Sequence, residues 1–330
     1  MLKPEIISSS SPSCLGRVLE AFQASEPVAL PTETVYGLAA PLDDENAILK
    51  IFEYKKRPQF NPLIVHVLGK EELSHLTTKE LTPVLQKLLD AFWPGPLSFL
   101  LPKKNNISDL VTSGSPFAVF RSPQNEVMRS VLAKSGKALV APSANIYQSV
   151  SPTSAEAVFE EFSVEQKLQL VVDGGESSLG LESTIVSFSE DENELLVHRL
   201  GAIGVDELLS FVGDECSVKL QGSKKGLPGS EQKHYSPGLE MEILEKLPAD
   251  FVLKEAEAFL SVFPEEGVLG KNVYVLSSED RNFKQAAKNL YKVLRELKNK
   301  SESLKKVYLN LAPEESLGVA INDRLRRAAF

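Results

Sequence analysis

Apolar positions come in short blocks, and the spacing inside each block sets the element it predicts. Val28-Ala29-Leu30, closed off by Pro27 and Pro31, reads as a buried strand. Residues 63–67, 97–101, 117–120, 138–140 and 169–172 read as further strands. Between them the period lengthens to that of a helix. Residues 14–25 form one amphipathic stretch. Ala47, Ile48, Ile51, Phe52 and Tyr54 form another, with Asp43 or Asp44 as its cap and Pro58 as its stop. Helices are also predicted over 79–92, 124–135, 154–162 and 205–212, and 103–116 is a polar loop. Trp93-Pro94-Gly95-Pro96 is a rigid corner with a structural role. Strand and helix alternate again towards the C-terminus. Residues 272–276 and 307–311 are strands, and Phe283, Ala287, Leu290, Leu294 and Leu297 share a helix face with Asp280 as the cap. A last amphipathic helix begins near Gly318. The class is α/β.

The pattern breaks at 213–237, which is polar and rich in Gly, Ser and Lys. That break predicts three parts: a domain over 1–212, a linker over 213–237 and a smaller domain over 238–330. A chain of 330 residues suits two domains, each with its own core. Charge supports the division. Residues 1–237 hold 21 Lys and Arg against 30 Asp and Glu, and residues 238–330 hold 15 of each, which together give the net charge of −9. Neither part is basic enough to wrap nucleic acid, although a local basic pocket needs only a few cations. No apolar run approaches the ~20 residues of a membrane span, and the N-terminus lacks a signal-peptide core, so a cytoplasmic protein is expected. Cys14 and Cys216 are the only cysteines, with no C-x-x-C, so neither a disulfide scaffold nor a metal knuckle is expected.

Candidate chemistry gathers around residues 31–66. Thr32 and Thr34 follow the first apolar triplet; Lys55, Lys56 and Arg57 close the next helix; Asn61-Pro62 leads into a strand carrying His66. Cations at a helix C-terminus commonly just complement its dipole, and a His in an apolar strand is commonly a core residue. With the two strands as neighbours, hydroxyls, cations, an amide and an imidazole would converge, as in a pocket for an anionic, phosphate-bearing ligand. Arg121, at a strand end before Pro123, is either a surface cation or a carboxylate clamp. Ser143-Ala144-Asn145 and Asp173-Gly174-Gly175 read alone as turns. Neither a P-loop nor a dinucleotide-binding glycine motif is present, so ATP, if bound, is bound another way.

These motifs, in this order, closely resemble the threonylcarbamoyl-AMP synthase family, which has the YrdC-like fold. The matching stretches are PTET-x-YGL, K-x-R-P and NPL-x-x-H, then Ser143-Ala144-Asn145, Ser151-Pro152-Thr153, Leu181–Val186 as a strand, and Arg199-Leu200-Gly201. Pro228-Gly229 and His234-Tyr235-Ser236-Pro237 are similar to the linker of the longer members, which folds over the active site, and GVAINDRL near the C-terminus matches their second domain. Two departures stand out. Gln148 replaces a frequent Gly, and residues 230–233 are less basic than the family's run. The resemblance implies an open, twisted mixed sheet with flanking helices and a smaller C-terminal Rossmann-like α/β domain. It implies synthesis of L-threonylcarbamoyladenylate from L-threonine, bicarbonate and ATP. Pyrophosphate is released, and the product serves the threonylcarbamoyladenosine modification of tRNA at position 37. Lys55 and Arg57 would be catalytic. Arg57, Asn61, Ser143, Ser151, Arg199 and Tyr235 would hold ATP, and Thr34, His66, Arg121 and Ser183 would hold L-threonine. Mg2+ would be bound through the phosphates rather than by a protein cage. A downstream transferase machinery would take the product onward to tRNA, the indirect end target; no membrane partner is implied. Alternatives are a hydrogenase-maturation type of carbamoyltransferase, disfavoured by the two cysteines, a non-catalytic RNA-binding module of the same fold, disfavoured by the acidic balance, and a structural scaffold.

Overall fold

The computed structural model of the protein describes residues 3–163, 167–213, 215–221, 228, 234–248, 251–268 and 270–330. Eleven strands form the first sheet: β1 (Glu5–Ser8), β2 (Val28–Leu30), β3 (Gly37–Pro41), β4 (Ile64–His66), β5 (Leu97–Pro102), β6 (Phe117–Arg121), β7 (Leu139–Val140), β8 (Leu170–Asp173), β9 (Thr184–Phe188), β10 (Glu194–Arg199) and β11 (Ser217–Leu220). Their spatial order is β1-β8-β2-β3-β7-β4-β6-β5-β9-β10-β11. The sheet is mixed: β4 and β6 are parallel, whereas β3 runs antiparallel to both β2 and β7.

The central strands are apolar at consecutive positions because both faces are buried. Leu38, Val140 and Val171 pack with Ile48 and Ile51 of α2 (Glu45–Tyr54). Their chain neighbours Ala39, Leu139 and Val172 pack on the opposite side with Val18 and Phe22 of α1 (Cys14–Gln23). Asp44 caps α2 as expected, its carboxylate accepting from the Ala47 N–H. The remaining helices of this unit are α3 (Lys70–Ser74), α4 (Pro83–Phe92), α5 (Asp109–Thr112), α6 (Glu126–Ser135), α7 (Ala155–Ser163) and α8 (Val205–Val212).

The second sheet is all parallel, in the order β12 (Glu240–Ile243), β15 (Lys306–Asn310), β13 (Glu257–Ser261), β14 (Val273–Val275). It carries α9 (Phe283–Asn299) and α10 (Gly318–Ala328). The cap of α9 is Asn282, which accepts from the Gln285 N–H, and not Asp280, which lies two residues before that cap. Besides its apolar stripe, α9 buries Tyr291 and Arg295, and both reach the first unit. The Arg295 guanidinium donates to Val150 O at 2.6 Å and pairs with Glu161 at 3.0 Å. Gly180, at φ +72°, lies so close to α9 that a Cβ there would come within 2.5 Å of Lys288 Cα.

Small residues concealed β3, because Gly37-Leu38-Ala39-Ala40 looks turn-like until its neighbours are known. β11 lies inside the stretch read as a linker and adds a strand parallel to β10. Glu5–Ser8 and Asp109–Thr112 also form elements, where the sequence showed little periodicity. Among the described residues no helix is long and apolar enough to cross a membrane.

Candidate active site

A cavity of about 60 Å³ lies over one face of the central strands, lined by the first unit and by Pro228, His234 and Tyr235. Its floor follows from register. Ile64 and His66 are two apart on β4 and so share a face, and His66 stands directly beside Arg121 of β6. The neighbouring of these two strands that the sequence suggested is not found: β3 and β7 lie between β2 and β4. The Thr32–Thr34 turn meets this floor through Arg121 instead. Arg121 Nη1 donates to Thr34 Oγ1 at 2.9 Å, and Thr34 Oγ1 lies 2.8 Å from Thr32 Oγ1.

Arg121 is held on three sides. Besides Thr34, its Nε donates to Gly95 O at 3.2 Å, and Nη2 forms a 2.6 Å ion pair with Glu33 Oε1. The Trp93–Pro96 corner thus supplies an acceptor for the guanidinium. Gly95 is required there, because a Cβ would collide with the Phe92 carbonyl oxygen. Arg121 and Glu33 are 4% and 5% exposed, so neither charge is compensated by water. Burial pushes the Glu33 carboxyl up, but Arg121 outweighs it and holds the group below its ordinary value. Burial, and then Arg121, push His66 down to about 3, so its ring is neutral. Its Nδ1 lies 3.2 Å from Ile64 O. A carbonyl only accepts, so Nδ1 carries the proton and Nε2 keeps its lone pair.

The opposite wall is built from Arg57, Ser143, Ser183 and Arg199. Arg57 Nη2 donates to Asn61 Oδ1 at 2.6 Å and to Pro62 O at 2.9 Å. Asn61 lies behind Arg57, and its buried Nδ2 has no acceptor among the described residues. Arg199 Nε and Nη2 donate to Ser183 O at 3.0 and 2.8 Å, Nη2 also reaches Ser183 Oγ at 2.9 Å, and Nη1 reaches Pro228 O at 3.2 Å. Burial lowers the Arg199 guanidinium to about 10, against the pull of Glu182. Ser98 Oγ donates to Ser183 Oγ at 2.7 Å. His234 and Tyr235 cover the cavity. The Tyr235 ring stacks on Tyr291 at 5.3 Å, and the Arg324 guanidinium lies 5.5 Å from its centroid.

Thr34, Arg57, His66, Arg121, Ser143, Ser183, Arg199 and Tyr235 line the cavity. Lys55, Asn61 and Ser151 stand behind it. The buried Lys55 ammonium donates to Ser143 O and Asn145 O, both at 2.5 Å; burial, then Arg57, lower its pKa well below the ordinary value. Ser151 Oγ donates to Glu182 Oε1 at 3.0 Å. Gln148 takes φ +68°, a conformation that favours glycine, which fits the Gly common there in the family. Gly229 and residues 230–233 lie outside the described residues. Sequence reasoning gave no task to Glu33, Ser98, Glu182, Tyr291 or Arg324. The available signal was an acid inside two small-residue motifs, PTET and LEST, with no cation near it in sequence.

A mixed α/β sheet with guanidinium groups, hydroxyls and two neutral imidazoles around one cavity defines a binding site for small anionic molecules. Comparison with known proteins narrows that class. The family model described as "Telomere recombination" matches residues 20–201, and that described as "Threonylcarbamoyl-AMP synthase, C-terminal domain" matches residues 202–330. The threonylcarbamoyl-AMP synthase of Pyrococcus abyssi is 35% identical over 319 residues, covering 92% of this chain and 90% of that one. That of Bacillus subtilis is 31% identical over 346 residues, covering 98% and 94%. The crystal structure of P. abyssi Sua5 complexed with L-threonine matches with a TM-score of 0.83 at 29% identity, covering 98% of this chain and 97% of that one. The chain belongs to the threonylcarbamoyl-AMP synthase family, enzymes of the nucleotidyltransferase type.

Proposed function

We propose that this chain condenses L-threonine, bicarbonate and ATP to L-threonylcarbamoyladenylate with release of pyrophosphate. A downstream transferase machinery then uses that product to form threonylcarbamoyladenosine at position 37 of tRNA. The observation that carries this reading is one cavity with two chemically different walls. Arg121, Thr34 and His66, joined by Ser183 from the facing wall, suit an amino acid; Arg57, Ser143 and Arg199 suit phosphates. The relative bearing L-threonine in its crystal structure supports the first assignment.

The threonine carboxylate meets Arg121, which Glu33 holds from behind the wall. His66 Nε2 accepts from the threonine amine or hydroxyl without adding charge. The neutral amine attacks the bicarbonate carbon, an N–C bond forms, and water leaves. A carbamate oxygen then attacks the α-phosphorus, the bond to the bridging oxygen breaks, and pyrophosphate departs. Aligning three small reactants lowers the barrier by about 7–11 kcal/mol, and Arg57 and Arg199 stabilise the growing phosphate charge. Asn61 acts on the nucleotide from behind the wall, as the residue that holds Arg57 through its Oδ1. Lys55 acts as a positioning residue that aims Ser143 through its backbone, and Ser151 supports the wall through Glu182. Tyr235 closes the nucleotide side. Among the described residues, the carboxylates near the cavity, Glu33 and Glu182, are engaged by Arg121 and Arg324. Mg2+ is therefore assigned to the phosphates and water, and no step above depends on it.

The cavity of 60 Å³ is far below the roughly 300–1,000 Å³ of a ligand pocket, so the covering residues must lift for ATP to enter. On this reading the active site belongs to 1–212, the segment 213–237 closes over it through His234 and Tyr235, and 238–330 is the second domain. The test is pyrophosphate release by the purified protein, with threonine and bicarbonate omitted in turn. Release that needs both is expected. Release that ignores threonine would point to another acceptor, and no release would overturn the reading.

A further inference from the structure

Glu182 lines the cavity, and the reaction above gives its carboxylate no chemical task. The group is 8% exposed and accepts from three directions. Ser151 Oγ lies at 3.0 Å, the Tyr291 hydroxyl at 2.8 and 2.7 Å from the two oxygens, and Arg324 Nε at 3.1 Å. Two of those donors belong to the second unit, Tyr291 on α9 and Arg324 on α10. Arg324 is itself anchored in the first unit, through a 2.7 Å bond to Leu200 O. The effect passes along the chain. Glu182 precedes Ser183, whose carbonyl and hydroxyl hold Arg199, and the Ala202 N–H donates to Glu182 O at 2.9 Å. Residues 182–183 and 199–202 therefore move together.

Glu182 is not poised as a base. Burial pushes its carboxyl up, but Arg324 and then Arg199 bring it to about 2, so it is ionised throughout the working range. The groups that face it are Arg199 from β10, Arg324 from α10, Tyr291 from α9, and His234 and Tyr235 from the covering segment. His234 is held neutral by burial, at about 3, and both tyrosines are raised by burial. None of them changes charge between pH 5 and 8 in the intact protein.

We propose that Arg324 and Tyr291 are positioning residues of the active site, acting through Glu182 to set Ser183 and Arg199. The second unit thus completes the cavity from within its wall and does more than flank it. The kinetic arm of the test rests on the reaction proposed above; the binding arm does not.

In Arg324→Met, Glu182 loses its main cation while staying buried, so it shifts position or takes up a proton. Pyrophosphate release at pH 8 is expected to fall about a hundredfold in kcat, the cost of an ångström-scale misplacement. The loss should shrink as pH drops towards 6, because protonation removes the unpaired charge. Glu182→Gln/Arg324→Met removes the charge outright and should recover about tenfold over the single variant, the size of a coupling between touching residues. Its pH profile should parallel that of the wild type. L-threonine affinity by calorimetry should weaken and recover in the same order, without turnover. Full activity and affinity in Arg324→Met, or a double variant no better than the single one, would overturn the proposal. A wild-type protein that releases no pyrophosphate would overturn the reaction instead, and calorimetry alone would then decide positioning. Should Arg324→Met fail to fold, Tyr291→Phe carries the same test, with a loss of about tenfold that Glu182→Gln relieves.

Discussion

The two walls of the cavity are built differently. The wall around Arg121 is internal to the large sheet. His66 and Arg121 are register neighbours, and Glu33, Thr34 and Gly95 hold the guanidinium from loops of the same unit. The wall around Ser183 and Arg199 depends on more distant parts. Glu182 is tied to α9 and α10, and Arg199 donates to Pro228 in the covering segment. The first wall is preorganised by strand pairing and is present whenever the sheet is folded. The second draws its support from α9, α10 and Pro228, so on the proposed reading it is complete only when those parts are seated. Such a division suits the proposed reaction, in which one small substrate is held steadily while a nucleotide enters and leaves.

The strongest challenge to this contrast is Arg121→Ala. It leaves Glu33 as an uncompensated charge in a wall that strand pairing prevents from relaxing. A loss of about 3–5 kcal/mol in denaturant unfolding is expected, together with loss of threonine binding in calorimetry. A stable variant would mean that the sheet wall yields as readily as the other.

The histidines sharpen the contrast through pH. His66 on the sheet wall and His234 on the cover are both held neutral, at about 3, by burial. In the unfolded chain each titrates near its ordinary value of about 6.5. The unfolded state therefore binds more protons between about pH 3 and 6.5, and stability falls as pH falls through that window. Each histidine is expected to remove about 2 kcal/mol between pH 7 and 5. Denaturant melts should lose that share of the slope in His66→Gln. His234→Gln should lose as much only while the cover stays closed, so a smaller share would measure how often it opens.

The smallest effect is expected at the seam between the walls. Ser98→Ala removes one hydroxyl donor to Ser183 and should cost about 1 kcal/mol in stability. Its kinetic trace should be a modest rise in the KM for threonine with kcat retained. A large fall in kcat would show that Ser183 depends on the sheet and not on Glu182.

Much of this was legible in the sequence. The apolar triplet before Thr32, the strand ending in His66 and the strand ending in Arg121 are local patterns, set by side-chain periodicity and by prolines that stop an element. Lys55, Asn61 and Ser151 show where such reading stops. All three belong to the right motifs, yet each faces a neighbour in the wall and not the cavity, because a buried polar atom must find a partner and the nearest one decided its direction. Gly37–Pro41 was hidden for a related reason: small residues are chosen there by what packs around them, and that is supplied by β2 and β7.

The sequence by itself determined most of the strongly periodic elements, the residue types near the site and the family they resemble, since those depend on order along the chain. Only the tertiary structure decided how the charges are paired. Glu182 meets Tyr291 and Arg324 across 109 and 142 residues of chain, and Arg121 reaches Thr34 across 87. Burial makes an unpaired charge so costly that folding must bring such partners together, but the spacing of residues along the chain does not say which ones they are.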